Sequence, residues 1–432
     1  MWYFVYDFVL IGFCIPAVLV LPVLLVIFPH WRYGVLQRFG IFSREVSEKL
    51  KSGNNIWLHA ASAGEVVSLS AIANLLKSVY TENDIVLSTT TKAGQDMANK
   101  TMPCIKASFY LPIDIKWIVR YVVKLINPKL LIFAETEYWP NLLKEAKLVG
   151  AKVVLVNGRF SEKSLKRYKI VKKPFAKVLK NIDMFNMQSK KDADTVLNFG
   201  VSPDKVKILG DAKYDIGENT GKDKIIVDFN CLNHREHIII AGSVHDGEYE
   251  EVLYAFSKIV EKYSDSVLVL APRHIDKIAK LEESANQFGI PYFKRTNFKC
   301  EKVNAKTSGG FIIILDTIGE LATLYKIGKI AFVGGSLIHV GGHNVFEPAI
   351  AGIPVLFGPY TQNFEVAVTA LKEQGGGIEV KDKDDLASTI INLFDNPEEI
   401  KRIGKLSRDT ANRYTGSAYK NVDLIKKVFQ SI

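Results

Sequence analysis

The chain is poor in cysteine and shows no metal-binding spacing. Its four cysteines, Cys14, Cys104, Cys231 and Cys300, are spread over 432 residues, which argues against a disulfide framework and reads as free cytosolic thiols. No Cys/His/Asp cluster has ligand spacing and no P-loop (G-x-x-x-x-G-K followed by Ser or Thr) occurs. Catalysis without a bound metal or other cofactor is therefore the simpler expectation. No internal repeat, low-complexity tract or recognisable nucleic-acid fold motif is found. For a chain of net charge +10, an anionic membrane surface or acidic substrate thus ranks above nucleic acid as partner.

One long apolar run is present. Residues 8–28 carry no charge over 21 positions, a length that suits one bilayer crossing at ~1.5 Å per residue. A cleaved signal peptide wants a basic start and a small-residue cleavage site; here Asp7 precedes the run and Pro29-His30-Trp31-Arg32 follows it. An uncleaved anchor is expected. Arg32, Arg38, Arg44, Lys49 and Lys51 all follow the run and no Lys or Arg precedes it, so the positive-inside rule puts the main body in the cytoplasm, at the inner membrane. Pro16 and Pro22 leave open a segment that dips into one leaflet, and a buried core helix is the other alternative.

Beyond the anchor, apolar strand runs alternate with helical patterns. Strands are expected over 56–60, 85–88, 130–134, 153–156, 185–188 and 206–209, then over 238–241, 267–271, 312–315, 330–333 and 355–357. Such βα repetition implies an α/β fold with parallel, doubly wound sheets. At this length two Rossmann-like domains of about 150–200 residues each are expected. The expected boundaries are an anchor over 1–30, a first domain over 31–215, a second over 216–400 and a C-terminal helix over 401–432 that packs back across both. Residues 211–236, polar and without periodicity, read as the linker. Two such domains are expected to face a cleft where two substrates are joined.

Candidate site residues fall at the strand ends. Glu65, in HAASAGEV, lies in the first turn of a helix just after a strand, where a carboxylate can accept a proton from a hydroxyl; acidic residues are also favoured there by the helix dipole alone. Glu135 and Glu137, in FAETEYWPNLL, follow the strand over 130–134, one of them a possible cap for the helix starting near Trp139-Pro140. The stretch over 330–363 breaks at Gly334-Gly335-Ser336 and again at Gly341-Gly342 before His343-Asn344. A short helix over 344–351 is expected to start on Asn344 and stop at Gly352. Glycine turns let backbone N–H groups approach a phosphate, and Glu347 suits a ribose diol; the plainer alternative is tight turns and a solvated carboxylate. Arg273, in APRH, offers a planar fork to a phosphate, while His245 and His274 read first as structural.

Residues 163–180 hold eight basic and no acidic side chains, with Leu165, Tyr168, Val171 and Phe175 interleaved. The run is either a solvated face or a surface for anionic lipid or an acidic lipid substrate.

HAASAGEV, FAETEYWPNLL, NGRFSEKSLKRY, GSVHDGEYEEV, APRH, DTIGELATLYKIGKIAFVGGSL and GGHNVFEPAIAGIPVLFGPYTQNF together resemble the successive motifs of the 3-deoxy-D-manno-oct-2-ulosonic acid (Kdo) transferases of lipid A biosynthesis. One departure is His339-Val340 before Gly341, where a proline is expected. The resemblance implies a GT-B, inverting glycosyltransferase that moves Kdo from CMP-Kdo onto the tetraacylated lipid A precursor at the inner face of the inner membrane. It implies Glu65 as catalytic base and a role for Glu135. It implies Arg273, His274, Gly334, Gly335, Ser336, Asn344 and Glu347 around the donor, and Ser62, Gly64 and Arg159 with the acceptor. The rival readings are another GT-B nucleotide-sugar transferase and a non-catalytic membrane-tethered module that binds anions.

Overall fold

The computed structural model describes residues 2–27, 32–51, 55–215, 228–232, 234–300 and 309–429. The chain divides into two compact units, Met1–Ile216 with Thr415–Ile432, and Gly217–Tyr414. Each unit is built on one parallel seven-stranded sheet.

In the first unit the strands are β1 Asn55–Ala60, β2 Asp84–Thr89, β3 Ile105–Tyr110, β4 Pro128–Ala134, β5 Lys152–Gly158, β6 Met184–Met187 and β7 Val206–Ile208. Their order across the sheet is β3-β2-β1-β4-β5-β6-β7. In the second they are β8 Ile238–Val244, β9 Val267–Pro272, β10 Tyr292–Lys294, β11 Phe311–Ile314, β12 Ile330–Val333, β13 Val355–Phe357 and β14 Gly377–Glu379, ordered β10-β11-β9-β8-β12-β13-β14. Both orders are doubly wound, with the direction of winding reversing at β1/β4 and at β8/β12. Crevices at such reversals, beyond the carboxyl ends of the strands, are where this fold class holds ligands.

The continuous apolar runs become strands because helices cover both faces. Successive residues of β1 divide between the two cores: Trp57 packs with Val86, Phe109 and Phe133 on one face, and Ile56 and Leu58 with Ile85, Leu87 and Ile132 on the other. The second sheet divides likewise, Ile239 and Phe332 to one face and Ile240 and Ala331 to the other. Helix Ala63–Val79 follows β1 and buries Val66, Leu69, Ile72, Ala73 and Leu76, spaced three and four apart, on its sheet.

Several expectations change. Strands β3, β10 and β14 were not anticipated, and each lies at the edge of its sheet. The C-terminal helical stretch is two helices, Pro397–Tyr414 in the second unit and Ser417–Phe429 in the first, broken at Gly416 (φ 81°). Asp215 caps the latter by accepting the Gly416 and Ala418 N–H groups. The expected linker carries buried Ala212 and Tyr214 before its break and Leu232 after it, and its middle lies outside the described residues. Cys231 and Cys300 are not free thiols but a disulfide, with Cα atoms 5.3 Å apart despite 69 residues of separation; distance along the chain hid the pairing. The first helix, Trp2–Ile27, covers nearly all of the apolar run. The side chains of most of its second half lie outside the described residues, and among those described no helix is long and apolar enough to cross a membrane. The expected anchor therefore has no support from the described structure.

Candidate active site

In the first unit, three carboxylates gather beyond β1 and β4. Ser62 is the N-cap of helix Ala63–Val79, its hydroxyl accepting the Glu65 N–H at 3.4 Å. The Glu65 carboxylate turns back over the cap: Oε2 accepts the Ala61 N–H at 2.8 Å and Oε1 the Ser62 hydroxyl at 3.1 Å. This is a capping box shifted by one residue. It fixes the carboxylate yet uses only two of the roughly four lone-pair directions that a carboxylate offers. Glu65 is 9% exposed, and desolvation, joined by the charges of Glu137 and Glu135, pushes its pKa up to about 7 against the two stabilising hydrogen bonds. Gly64 borders an open space, since a Cβ there meets only Ser62 Oγ at 3.9 Å.

Glu135 sits at φ 55° and Asn157 at φ 52°, left-handed conformations that cost a non-glycine residue about 1–3 kcal/mol and cluster at functional sites. The Arg159 guanidinium donates to Glu135 Oε2 from Nε (2.7 Å) and Nη2 (2.6 Å). Burial nonetheless leaves Glu135 above its ordinary pKa. Arg159, implied with the acceptor by the resemblance, is thus paired with Glu135, and its side chain stays 57% exposed. Glu137 goes the other way. Burial raises its pKa, but His59 Nε2 at 3.4 Å and the Trp139 indole N–H at 2.8 Å outweigh that, and its pKa falls. Neither glutamate caps the following helix, Pro140–Leu148; Asp114, from the loop after β3, does so by accepting the Asn141 and Leu142 N–H groups at 2.9 Å. Sequence reasoning missed His59 and Asp114, although His59 lies within the HAASAGEV segment.

In the second unit the glycine turn after β12 is not the phosphate cradle expected. Gly334 N–H donates to Gly242 O, Gly335 N–H to Glu248 Oε2 (2.6 Å), and Ser336 and Leu337 N–H to Glu248 Oε1 (2.9 and 2.8 Å). Glu248 Oε2 also accepts the His245 N–H at 3.1 Å, and the side chain is 0% exposed. The turn's amides are thus taken by the chain's own carboxylate. Ser336 Oγ is spent too, donating to Val333 O and accepting from Gly358 N–H. Gly334 is required for another reason: a Cβ would lie 2.6 Å from Val244 Cα, so glycine alone lets the turn lie against the end of β8.

What remains for an anion is cationic or titratable. Arg273 and His274, at the end of β9, are exposed, and no ion pair of Arg273 is found among the described residues. His245 and His343 stack with ring centroids 5.1 Å apart and Nε2 atoms at 2.8 Å, and His274 meets His245 edge-on. One nitrogen of that short contact must be an acceptor, so the pair holds at least one neutral ring. Desolvation first, then Arg273 and the neighbouring histidines, drops the His343 pKa to about 4; His245 is also lowered. Helix Phe346–Ala351 is only six residues long, with Asn344 Oδ1 accepting the Phe346 N–H and Gly352 (φ 80°) ending it. Glu347 is half-buried, takes no hydrogen bond from the described residues, and desolvation raises its pKa to about 7. A carboxylate in that state suits a pair of hydroxyl donors.

Comparison with known proteins bears on the whole chain. Residues 33–216 match the family model described as 3-Deoxy-D-manno-octulosonic-acid transferase (kdotransferase). A 3-deoxy-D-manno-octulosonic acid transferase of Haemophilus influenzae is 29% identical over 99% of this chain and 98% of its own length. One from Aquifex aeolicus is 32% identical over 89% of this chain and 97% of its own. Among solved structures, the UDP-GlcNAc 2-epimerase of Neisseria meningitidis superposes with a TM-score of 0.55 over 86% of this chain and all of that one, at 12% identity, a likeness of fold. With two doubly wound units of the GT-B class and relatives matching from end to end, the chain belongs to the 3-deoxy-D-manno-octulosonic acid transferase family of glycosyltransferases.

Proposed function

We propose that this transferase moves Kdo from CMP-Kdo to the tetraacylated lipid A precursor with inversion at the anomeric carbon, Glu65 acting as general base. One observation carries the reading: a buried carboxylate at a doubly wound switch point, held by two hydrogen bonds, with a pKa of about 7. That value matches a base working near neutral pH. The acceptor hydroxyl gives its proton to Glu65 as its oxygen bonds to the anomeric carbon. The bond from that carbon to the phosphate oxygen breaks, and its electron pair leaves with CMP. Arg273 supplies the positive charge that stabilises the departing phosphate, the His245/His343/His274 imidazoles offer ring N–H donors beside it, and Glu347 receives the ribose diol. Ser62 holds the base, and the Arg159 pair holds Glu135 at the site's edge. The reading requires no metal, so EDTA is expected to leave turnover unchanged.

Membrane attachment belongs to the same proposal. Helix Trp2–Ile27 exposes Phe4 at 75% and Phe8 at 71%, and a lipid acceptor is concentrated by tethering the enzyme to its surface. Cell fractionation that recovers the full chain with the inner membrane supports this; recovery in the soluble fraction overturns it. The transfer itself is tested by mass spectrometry of a tetraacyl precursor incubated with CMP-Kdo generated in situ. Mass increments of one or more Kdo units are expected with wild type and not with Glu65→Ala. Folded protein that binds CMP yet modifies no acceptor preparation would sink the assignment.

A further inference from the structure

An aromatic pocket of about 300 Å³ opens in the first unit next to Glu137, walled by Trp2, Tyr6, Trp139, Tyr168, Val171 and Phe175 among others. Its walls are stacked pairs. Trp2 lies on Tyr6 with centroids 5.5 Å apart, and Tyr168 on Phe175 at 4.0 Å. The polar ends of two wall residues already point elsewhere: the Tyr6 hydroxyl donates to Asp114 at 3.0 Å and the Trp139 indole to Glu137 at 2.8 Å. A sugar ring would therefore find ring faces and few donors, whereas hydrocarbon loses nothing there and leaves water. The helices that carry Tyr168 and Phe175, Glu162–Ile170 and Lys172–Leu179, expose Lys166, Arg167, Lys169, Lys172, Lys173 and Lys177. None of the six forms an ion pair among the described residues. Between them Ile170 is 85% exposed.

We infer that this pocket takes an acyl chain of the anionic lipid acceptor, with the cations of the two flanking helices meeting its phosphate. The inference rests on the acceptor proposed above and extends it. Glu137 is both a wall of the pocket and one of the charges that raise Glu65, so a chain seated here brings its headgroup toward the base. The N-terminal helix, through Trp2 and Tyr6, then forms part of the substrate site as well as lying at the membrane.

The pocket is tested without turnover. Dodecyl phosphate brominated near its methyl end is titrated into the full-length chain and tryptophan fluorescence followed, since Trp2 and Trp139 line the walls. Saturable quenching is expected, mostly lost in the Trp2→Phe/Trp139→Phe double variant, and weakened about tenfold by Val171→Asp, which sets a charge against the chain at a half-exposed lining position. Quenching that Val171→Asp leaves unchanged, or that brominated phosphatidylglycerol vesicles reproduce equally in both proteins, overturns the pocket in favour of general membrane docking. Should Val171→Asp fail to fold, Trp2→Ala at the chain's start serves in its place. In the transfer assay, the ratio of kcat/KM for acylated over deacylated acceptor should fall about tenfold in the variant. An equal loss on both acceptors sinks the pocket and spares the transferase reading. Quenching that persists in a protein active on no acylated acceptor sinks the acceptor reading alone.

Discussion

Glu65 and Glu248 occupy matching places in the two units, each preceded by a glycine and each following the first strand of its sheet. They do opposite things. Glu65 accepts two hydrogen bonds, is pushed up to about 7, and keeps lone pairs for an incoming proton. Glu248 accepts four backbone N–H groups, from His245, Gly335, Ser336 and Leu337, and has nothing left to offer. The number of donors decides the role. A partly satisfied buried carboxylate is a base in waiting, whereas a saturated one is a keystone that an anionic ligand does not need to displace. On the proposed reading, the same arithmetic leaves the departing phosphate to Arg273 and the histidines and not to the glycine turn.

The sharpest way to break this comparison is to neutralise both carboxylates. Glu65→Gln can turn its amide oxygen to the Ala61 N–H and its N–H₂ to the Ser62 Oγ, keeping both local contacts, and it removes a desolvated charge above pH 7, so thermal stability at pH 8 should not fall. Transfer should drop by about 10²–10⁴, the usual worth of a positioned general base, read as kcat on the acylated acceptor. Retention of more than about a tenth of wild-type kcat would remove the base from Glu65. In Glu248→Gln the amide brings its own N–H₂ against buried N–H donors. Chemical denaturation should show a loss of about 2–4 kcal/mol, the cost of leaving buried amides unpaired. Its effect on transfer should appear as a raised KM for the donor with kcat less changed. A stable Glu248→Gln protein with normal donor KM would return the glycine turn to the phosphate.

Glu137→Gln probes the carboxylate cluster from the side. Glu137 is one of the charges that raise Glu65, and Glu65 acts only when ionised. Removing that charge lowers the Glu65 pKa, so the acidic limb of the kcat/KM profile should move to lower pH. A limb that stays in place would mean that burial alone sets the value.

Much of this was legible in the sequence because it is local. Strands such as β1, β4 and β12 are continuous apolar runs, and Glu65 three residues after Ser62 is a cap visible in one dimension. The strands that escaped notice, β3, β10 and β14, are all sheet edges. An edge strand is paired on one side only and tolerates polar residues such as Lys106 and Ser108, which erase its pattern. The partners that set the site's chemistry were hidden by chain distance: His59 reaches Glu137 across 78 positions, Glu248 reaches the glycine turn across 87 to 89, and Asp114 caps a helix 27 further on. Gly334-Gly335-Ser336 was misread for the same reason. A glycine turn announces free amides, and only the folded chain shows which carboxylate has taken them.

The smallest expected effect lies in the histidines. His343 faces His245, His274 and Arg273, all cationic or able to become so, and its pKa sits at about 4 against about 6.5 in an unfolded chain. Between those values the unfolded state binds more protons at this group than the native one, so His343 contributes a stability that rises with pH. The raised carboxyls Glu65 and Glu347 contribute the opposite trend, and the slope of stability against pH should be less positive in His343→Gln than in wild type. Because an anion bound beside the imidazoles favours their charged forms, saturating CMP should also make the wild-type slope less positive and have a smaller effect in the variant, where His245 is the lowered imidazole that remains. Denaturation midpoints at pH 4.5, 5.5 and 6.5, with and without CMP, measure both. If CMP left the wild-type slope untouched, the histidine group would be a structural stack and Arg273 alone would face the leaving phosphate.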